Sequence, residues 1–229
     1  MPDLIYNLLD LSEVWALLMP LIFIFPLRKL AGWQKPVAVY VILALVLNSI
    51  ATLISNSDDF HSLIRVKSNV IFYNIHSVVR FVCFSYFFIL LKQKRYTLLK
   101  KLLPILYVIM FLINFLFFDN FFYTGSISGN LLTIESYLLL VYCMLFFLAG
   151  LKEDEAIMDK GPELWIIVGL SIYVVINFFL FLFYVPMIKE NQKLADNMWT
   201  VHNVAYIILC IFIAIAFYRS NKQKHNATE

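Results

Sequence analysis

Apolar residues fall into seven long stretches that are separated by short polar connections. Each stretch holds about 20 mostly apolar residues, the length that an α-helix needs to cross roughly 30 Å of hydrocarbon. The stretches lie at residues 11–27, 36–54, 70–91, 98–118, 131–151, 164–185 and 198–218. Continuous runs such as NFFLFLFYV lack the alternation of barrel strands. The pattern therefore predicts an all-α polytopic membrane protein, a bundle of seven transmembrane helices.

Composition agrees with a chain that lies in lipid. Hydrophobic residues make up 62% of the sequence and charged residues 14%, whereas soluble domains contain about 25% charged residues. No connection is long enough to form a second domain, so we expect residues 1–229 to form a single seven-helix domain. The formal net charge of +3 is explained by basic residues beside anionic headgroups. The bilayer is thus the expected partner, and nothing indicates nucleic acid.

The distribution of Lys and Arg predicts the orientation, because connections rich in these residues stay in the cytoplasm. The predicted inner basic residues are Arg28, Lys29, Lys35, Lys92, Lys94, Arg95, Lys100, Lys101, Lys152, Lys160, Arg219, Lys222 and Lys224. The predicted outer connections hold Arg65, Lys67, Lys189 and Lys193. The acidic start, with Asp3, Asp10 and Glu13, agrees with an outer position. We expect an outside N-terminus, a cytoplasmic C-terminus and a multi-pass protein of the inner (plasma) membrane.

Polar side chains inside the predicted spans concentrate toward the outer end. Such groups are costly in lipid and usually face a bundle interior or a water-filled cavity. At 1.5 Å per residue they lie about 6 to 16 Å from the outer ends of their spans. The predicted ligand-binding residues are Tyr73, His76, Arg80, Glu135, Asn177, His202, Asn203 and Tyr206. This pattern predicts an outward-facing polar pocket between the third, fifth, sixth and seventh spans.

Arg80 is the residue that most needs an explanation. A guanidinium near the middle of the bilayer requires an anion, and Glu135 is the acidic residue that lies well inside a span. We therefore expect an ion pair between Arg80 and Glu135, either purely structural or holding a pocket ready for a polar ligand. The asparagines equally suit hydrogen bonds between helices, and each histidine alone suits a buried core position.

Two functional classes need particular residues in the spans. A retinal photoreceptor needs a Schiff-base lysine in the last span, and residues 201–218 contain none, so retinal is excluded. A membrane-embedded metal hydrolase could use His76, Glu135 and His202 as zinc ligands. Seven-helix hydrolases of the ceramidase and progestin-receptor type, however, carry two histidines four residues apart in the last span. Here those two positions are His202 and Tyr206.

A transporter with a three-plus-one-plus-three arrangement predicts that spans one to three resemble spans five to seven. Pro20 and Pro26 have no counterparts in the fifth span, and the spacing of Tyr73, His76 and Arg80 is only loosely repeated by Trp199, His202 and Tyr206. We therefore expect a membrane sensor or ligand-binding module without a cofactor, rather than an enzyme. It would bind a polar small molecule and signal through a separate protein. Small-solute transport and metal-dependent hydrolysis stay open as alternatives.

The polar positions also carry a resemblance. Its residues are Asn74 and His76, Glu135, the stretch LWIIVGLSIY at 164–173 that leads to Asn177, and VHNVAY at 201–206. In these residues, and over most of its length, the chain resembles uncharacterised small bacterial seven-helix integral membrane proteins. The resemblance implies a bacterial inner-membrane protein with the same choice of polar residues. In that group an acidic residue often occupies the position of Arg80, which argues against a site built here on a third-span carboxylate.

Overall fold

The computed structural model describes residues 8–27, 30–56, 69–91, 93, 95–122, 127–152 and 161–226. Within these ranges the chain folds into α-helices and contains no β-strand. The helices are α1 (Ser12–Ile24), α2 (Gln34–Asn56), α3 (Val70–Leu90), α4 (Thr97–Phe117), α5 (Gly129–Lys152), α6 (Pro162–Glu190) and α7 (Gln192–Asn226). The prediction of an all-helical protein is confirmed.

Among the described residues, helices α2 to α7 are the six helices that are long and apolar enough to cross a membrane, which fits a multi-pass membrane protein. Helix α1 contains 13 residues, and at 1.5 Å per residue it spans only about 20 Å. It ends at Ile24. Phe25 keeps helical dihedral angles and donates its N–H to the carbonyl of Leu21, but the next residue, Pro26, has no N–H with which to continue the helix. The first apolar stretch, predicted at 11–27, therefore forms a shorter helix than expected.

Helices α6 and α7 are longer than their predicted spans. They contain 29 and 35 residues, and Asn191 is the one residue between them. The Asn191 side chain accepts a hydrogen bond from the backbone N–H of Leu194 (3.1 Å) and so caps the start of α7. The polar residues 186–197, predicted as a connection, mostly continue the two helices. Apolarity marks the part of a helix that suits lipid and does not mark where the helix ends.

Six helices form a closed ring. Helix α1 packs against α2 and α7, α2 against α3, α3 against α5, α5 against α6, and α6 against α7. Helix α4 lies outside the ring, against α3 and α5. Its exposed apolar side chains, as on a helix that faces lipid, include Leu98, Leu102, Ile105, Ile109, Leu112 and Leu116. The interior of the bundle is thus enclosed by α1, α2, α3, α5, α6 and α7.

The packing of the first three helices is repeated by the last three. Helices α1 to α3 pack in chain order, as do α5 to α7, and the two halves meet at the α1–α7 and α3–α5 junctions. Buried positions repeat as well: residues 37, 38, 40, 41, 44 and 48 of α2 correspond, at one constant shift, to 166, 167, 169, 170, 173 and 177 of α6. This correspondence aligns Asn48 with Asn177.

Charged positions also recur between the two halves, at a shift different from the one that relates α2 to α6. Glu13 near the start of α1 corresponds to Glu135 in α5, and the same number of residues separates Arg80 of α3 from His202 of α7. All four side chains are buried. The sequence analysis aligned His76 with His202 because it matched residue types and spacings. It did not match buried positions and therefore did not detect the correspondence of Arg80 with His202.

Odd-numbered helices begin at one end of the bundle, which we call the α1-start end, and even-numbered helices begin at the other. The polar residues predicted to form a pocket lie toward the α1-start end. Several basic residues that were used to predict the orientation lie outside the described residues: Arg28, Lys29, Arg65, Lys67, Lys92, Lys94 and Lys160.

Gly169 allows α6 and α7 to approach closely, and its replacement tests this contact. A Cβ at this position would lie 2.4 Å from Cβ of Phe212, so Gly169→Ala forces the helices apart. We expect a loss of about 1 to 3 kcal/mol of stability, measured by thermal unfolding of the purified protein. Gly32→Ala is the control, because nothing lies within 4 Å of that Cβ. Equal effects of the two substitutions would contradict this packing.

Candidate functional site

An ion pair between Arg80 and Glu135 joins α3 to α5. Arg80 Nε and Nη2 donate to the two carboxylate oxygens of Glu135, and the Nη2–Oε2 distance is 2.8 Å. Ser77, one turn before Arg80 on the same face of α3, donates its hydroxyl to Glu135 Oε2 at 2.5 Å. Arg80 is 3% exposed and Glu135 is 1% exposed. The pair expected from the sequence is confirmed, and it is fully enclosed.

The surroundings of Arg80 complete its neutralisation. Its Cζ lies 4.9 Å from the centroid of the Tyr173 ring on α6, a distance at which a guanidinium is attracted to an aromatic face. Two charge-assisted hydrogen bonds in a region of low dielectric hold the pair strongly, and removing one partner leaves a buried charge uncompensated. The pair therefore fixes the α3–α5 junction.

A second acid–base pair lies at the α1–α7 junction. Glu13 Oε1 of α1 is 3.4 Å from Nε2 of His202 on α7. On the opposite side of the imidazole, His202 Nδ1 is 2.5 Å from Oδ1 of Asn177. The Asn177 amide nitrogen donates to the carbonyl of Tyr173 at 2.7 Å, which orients the amide oxygen toward His202. Asn48 of α2 donates to the backbone carbonyl of Glu13 at 2.9 Å and holds this turn of α1 in place.

His76 lies between tyrosine rings. Its imidazole stacks on Tyr40 with ring centroids 5.9 Å apart, and it meets Tyr206 edge-on at 6.1 Å. The hydroxyls of Tyr40 and Tyr206 are 3.4 Å apart. His76 is buried, and its Nε2 has no hydrogen-bond partner in the described part of the chain. An imidazole nitrogen in this position is available to a molecule that enters the bundle.

These groups surround one small cavity. It is lined by Glu13, Tyr73, His76, Arg80, Leu132, Phe181, Trp199 and His202. Its volume of about 10 Å³ is close to the minimum that holds one water molecule. The lining residues belong to α1, α3, α5, α6 and α7. The third, fifth, sixth and seventh spans, which were predicted to form the pocket, therefore do meet, and α1 also contributes to the lining. In this arrangement of the helices the cavity is too small for a ligand of several heavy atoms, so such a ligand needs the helices to move.

The structure places the predicted residues in three positions. Tyr73, His76, Arg80 and His202 line the cavity. Glu135, Asn177 and Tyr206 lie behind that lining and contact Arg80, His202 and His76 respectively. Asn203 does not line the cavity, since its amide nitrogen donates to the carbonyl of Leu9 at 3.0 Å, before α1.

Glu13, Trp199 and Phe181 also line the cavity, although the sequence did not single them out for a site. Glu13 was counted with the acidic outer start of the chain, yet it is buried. The one signal that could have identified it is its correspondence to Glu135 in the repeat of the two halves. Trp199 and Phe181 lie on helices rich in aromatic residues, where the pattern does not distinguish a lining residue from a core residue.

The three candidate metal ligands do not form a ligand set. Within the residues that the structure describes, no three His, Cys, Asp or Glu side chains come close enough to hold a metal ion. The oxygens of Glu135 accept hydrogen bonds from Arg80 and Ser77, and His202 Nε2 faces Glu13. A zinc site on His76, Glu135 and His202 would require these contacts to break.

A larger cavity of about 610 Å³ lies between α4, α5 and α6, and none of the predicted site residues lines it. Comparisons with known proteins add no assignment, because no family model, curated protein or solved structure matches the chain. A carboxylate, a guanidinium and two imidazoles around this cavity, with Glu135 behind Arg80, can bind a polar group and exchange protons.

Replacing Glu135 with Gln removes the anion and leaves the Arg80 guanidinium buried. We expect a loss of about 3 to 5 kcal/mol of stability, measured by thermal or denaturant unfolding in detergent. Arg80→Gln combined with Glu135→Gln should cost less than the sum of the single substitutions, because neither charge then remains. Glu163→Gln, at the start of α6 and away from the pair, is the matched control. Additive losses would contradict a direct coupling of the two side chains.

Proposed function

We propose that the protein is a membrane sensor that binds a polar small molecule in the cavity between the two halves of the bundle and signals through a separate protein. The observation that carries this proposal is the position of the two buried acid–base pairs. Arg80–Glu135 bridges the α3–α5 junction, and Glu13–His202 bridges the α1–α7 junction. Polar groups between the halves can make the closure of the bundle depend on what the cavity holds.

The mechanism is a shift between a closed and a more open arrangement of the halves. A ligand shifts such an equilibrium only if it binds one arrangement better than the other. The closed cavity has room for about one water molecule, so a larger polar ligand favours the open arrangement. Its polar groups replace the contacts that Glu13, His76 and His202 make in the closed one. Separation of the halves then changes the relative positions of helix ends on the opposite side of the bilayer.

The proposed topology supplies the route for the signal. Helix α1, extended by the residues that flank it, crosses the membrane in addition to α2 to α7, which gives seven spans. The protein then lies in a bacterial inner membrane with its N-terminus outside and its C-terminus in the cytoplasm. The pocket then faces outward. Helix α7 continues past its apolar part to Asn226, and Arg219 lies over the Trp165 ring at 4.3 Å. This cytoplasmic end of α6 and α7 is the surface that a signalling partner would contact.

Reporter fusions test the topology. A fluorescent protein that folds only in the cytoplasm should be bright when fused after Glu229, and alkaline phosphatase at the same place should be inactive. The same reporters joined before residue 1 should give the opposite result, because the basic residues hold the alternate connections inside. A bright N-terminal fusion would contradict the outward position of the pocket.

A thermal-shift screen tests ligand binding. Polar small molecules of positive, negative and neutral charge are added to the purified full-length protein, and its unfolding temperature is measured. A ligand should raise that temperature in the wild type, as mass action requires, and not in the His76→Ala variant. Glu163→Gln is the control for effects outside the pocket. A screen in which no molecule discriminates between wild type and His76→Ala would contradict the proposal.

Small-solute transport is the second candidate, and the repeated packing of α1–α3 and α5–α7 around an outer α4 favours it. Parallel repeats with a polar site at their interface are typical of several transporter folds. Reconstitution separates the two functions. If the stabilising molecule accumulates in proteoliposomes down its gradient, the protein is a transporter, whereas a sensor binds the molecule without moving it across the bilayer.

A further inference from the structure

The contacts of His202 determine where its proton lies. The Asn177 oxygen that faces Nδ1 at 2.5 Å can only accept a hydrogen bond, and the Asn177 nitrogen already donates to the Tyr173 carbonyl. Nδ1 therefore carries a hydrogen. In the neutral imidazole Nε2 then has a lone pair, and this lone pair faces the carboxylate of Glu13 at 3.4 Å.

A lone pair and an ionised carboxylate repel each other at this distance. The contact is favourable only when one proton lies between the two groups, on Nε2 of His202 or on the carboxyl of Glu13. The other charged pair has no such requirement, because the guanidinium of Arg80 keeps its proton at all physiological pH values. The two junctions of the bundle thus differ: the α3–α5 junction is permanently paired, and the α1–α7 junction depends on one exchangeable proton.

Charge in the cavity favours a cation in place of that proton. The titratable groups around the pair of Glu13 and His202 are Tyr73, His76 and Arg80 on α3, Glu135 on α5, Tyr173 and Tyr184 on α6, and Tyr206 on α7. Among them Arg80 is neutralised by Glu135. Without the shared proton, Glu13 is a negative charge with no cation of its own, since its neighbour Tyr73 offers only a neutral hydroxyl, so the cavity is then suited to a positive group.

The lining atoms match the three N–H donors of a primary ammonium. The carboxylate of Glu13, Nε2 of His202 and the unpartnered Nε2 of His76 all belong to residues that line the cavity, and an ammonium offers three donors and no acceptor. An ammonium group is about as large as the one water molecule for which the cavity has room.

Three aromatic rings line the cavity together with Arg80 and Leu132. The Trp199 ring lies 5.0 Å from that of His202, the Tyr73 ring meets Trp199 at 5.5 Å and 88°, and the Phe181 ring is 5.2 Å from that of His202. Aromatic rings beside an acidic side chain attract organic cations. This combination of a carboxylate, two imidazole nitrogens and three aromatic rings suits an amine in its protonated form.

We propose that the cavity binds the primary ammonium group of a small organic amine, which displaces the proton shared by Glu13 and His202. The proposal rests on the proposed ligand-binding function and names the chemical class of its ligand. When the ammonium enters, the shared proton leaves to solvent and the net charge of the site is unchanged. The cation then donates hydrogen bonds to Glu13 and to the lone pairs of His202 and His76.

Methylammonium is the probe, and thermal unfolding of the full-length protein in detergent is the readout. Methylammonium chloride should raise the unfolding temperature more than potassium chloride at equal ionic strength, because potassium donates no hydrogen bond. The apparent affinity should increase about tenfold per pH unit while the pair still holds its proton, since one proton is released per cation bound. Equal shifts with the two salts, or an affinity independent of pH, would overturn the proposal.

Matched variants locate the effect. Glu13→Gln should abolish the methylammonium shift, whereas Asp10→Asn, an exposed acidic residue one turn earlier, should leave it unchanged. His202→Gln retains a donor toward Asn177 but cannot hold the proton, so binding there should lose its pH dependence.

If Glu13→Gln does not fold, the half-buried Trp199 gives a second test. Trp199→Leu should weaken binding several-fold and Trp199→Phe should retain it, and equal behaviour of these two variants would overturn the aromatic part of the site.

The outcomes separate this inference from the proposed function. If a neutral or anionic molecule stabilises the wild type through His76 while methylammonium does not, ligand sensing stands and the ammonium assignment is wrong. If no molecule of any charge stabilises the protein, both are wrong.

Discussion

The buried charge of Arg80 is the constraint on which the rest of the structure depends. A guanidinium enclosed in an apolar bundle is tolerated only with an anion in direct contact. Glu135 supplies that anion from α5, Ser77 satisfies a further carboxylate lone pair, and Tyr173 covers the guanidinium from α6. Helices α3, α5 and α6 are thus fixed around one charge, and α4 packs outside the ring of helices, against α3 and α5.

The two halves of the bundle meet at two junctions, each with a buried acid–base pair, and the two pairs differ in their base. At corresponding positions, Glu135 faces an arginine whose charge is permanent, and Glu13 faces a histidine whose charge depends on a proton. In the proposed mechanism the first junction is therefore a fixed hinge between the halves, and the second opens or exchanges its proton for another cation. An unequal pair of junctions allows a small change in the cavity to become a movement of one half against the other.

Sequence reasoning identified the helices and most of the polar cluster, because apolar length and buried charge are local signals. It predicted the Arg80–Glu135 pair from the cost of an isolated guanidinium. It did not identify Glu13, because a carboxylate near the start of a short helix has the pattern of a solvated end, and its burial depends on contacts with α2 and α7. Asn203 is the opposite case, because it was predicted to line the pocket and does not. Its neighbour His202 faces the cavity, whereas the Asn203 amide donates to the carbonyl of Leu9. Long-range contacts decided both cases.

The two acid–base pairs hold the halves together, and a distance measured between the halves tests this most directly. Leu53→Cys on α2 and Phe183→Cys on α6 place spin labels at exposed positions on opposite helices of the ring near the α1-start end, while Cys83, Cys143 and Cys210 are buried. Pulsed electron paramagnetic resonance should give one narrow distance distribution in the otherwise native protein. With Glu13→Gln and Glu135→Gln added, a longer population should appear. An unchanged distribution in a folded double variant would contradict the account.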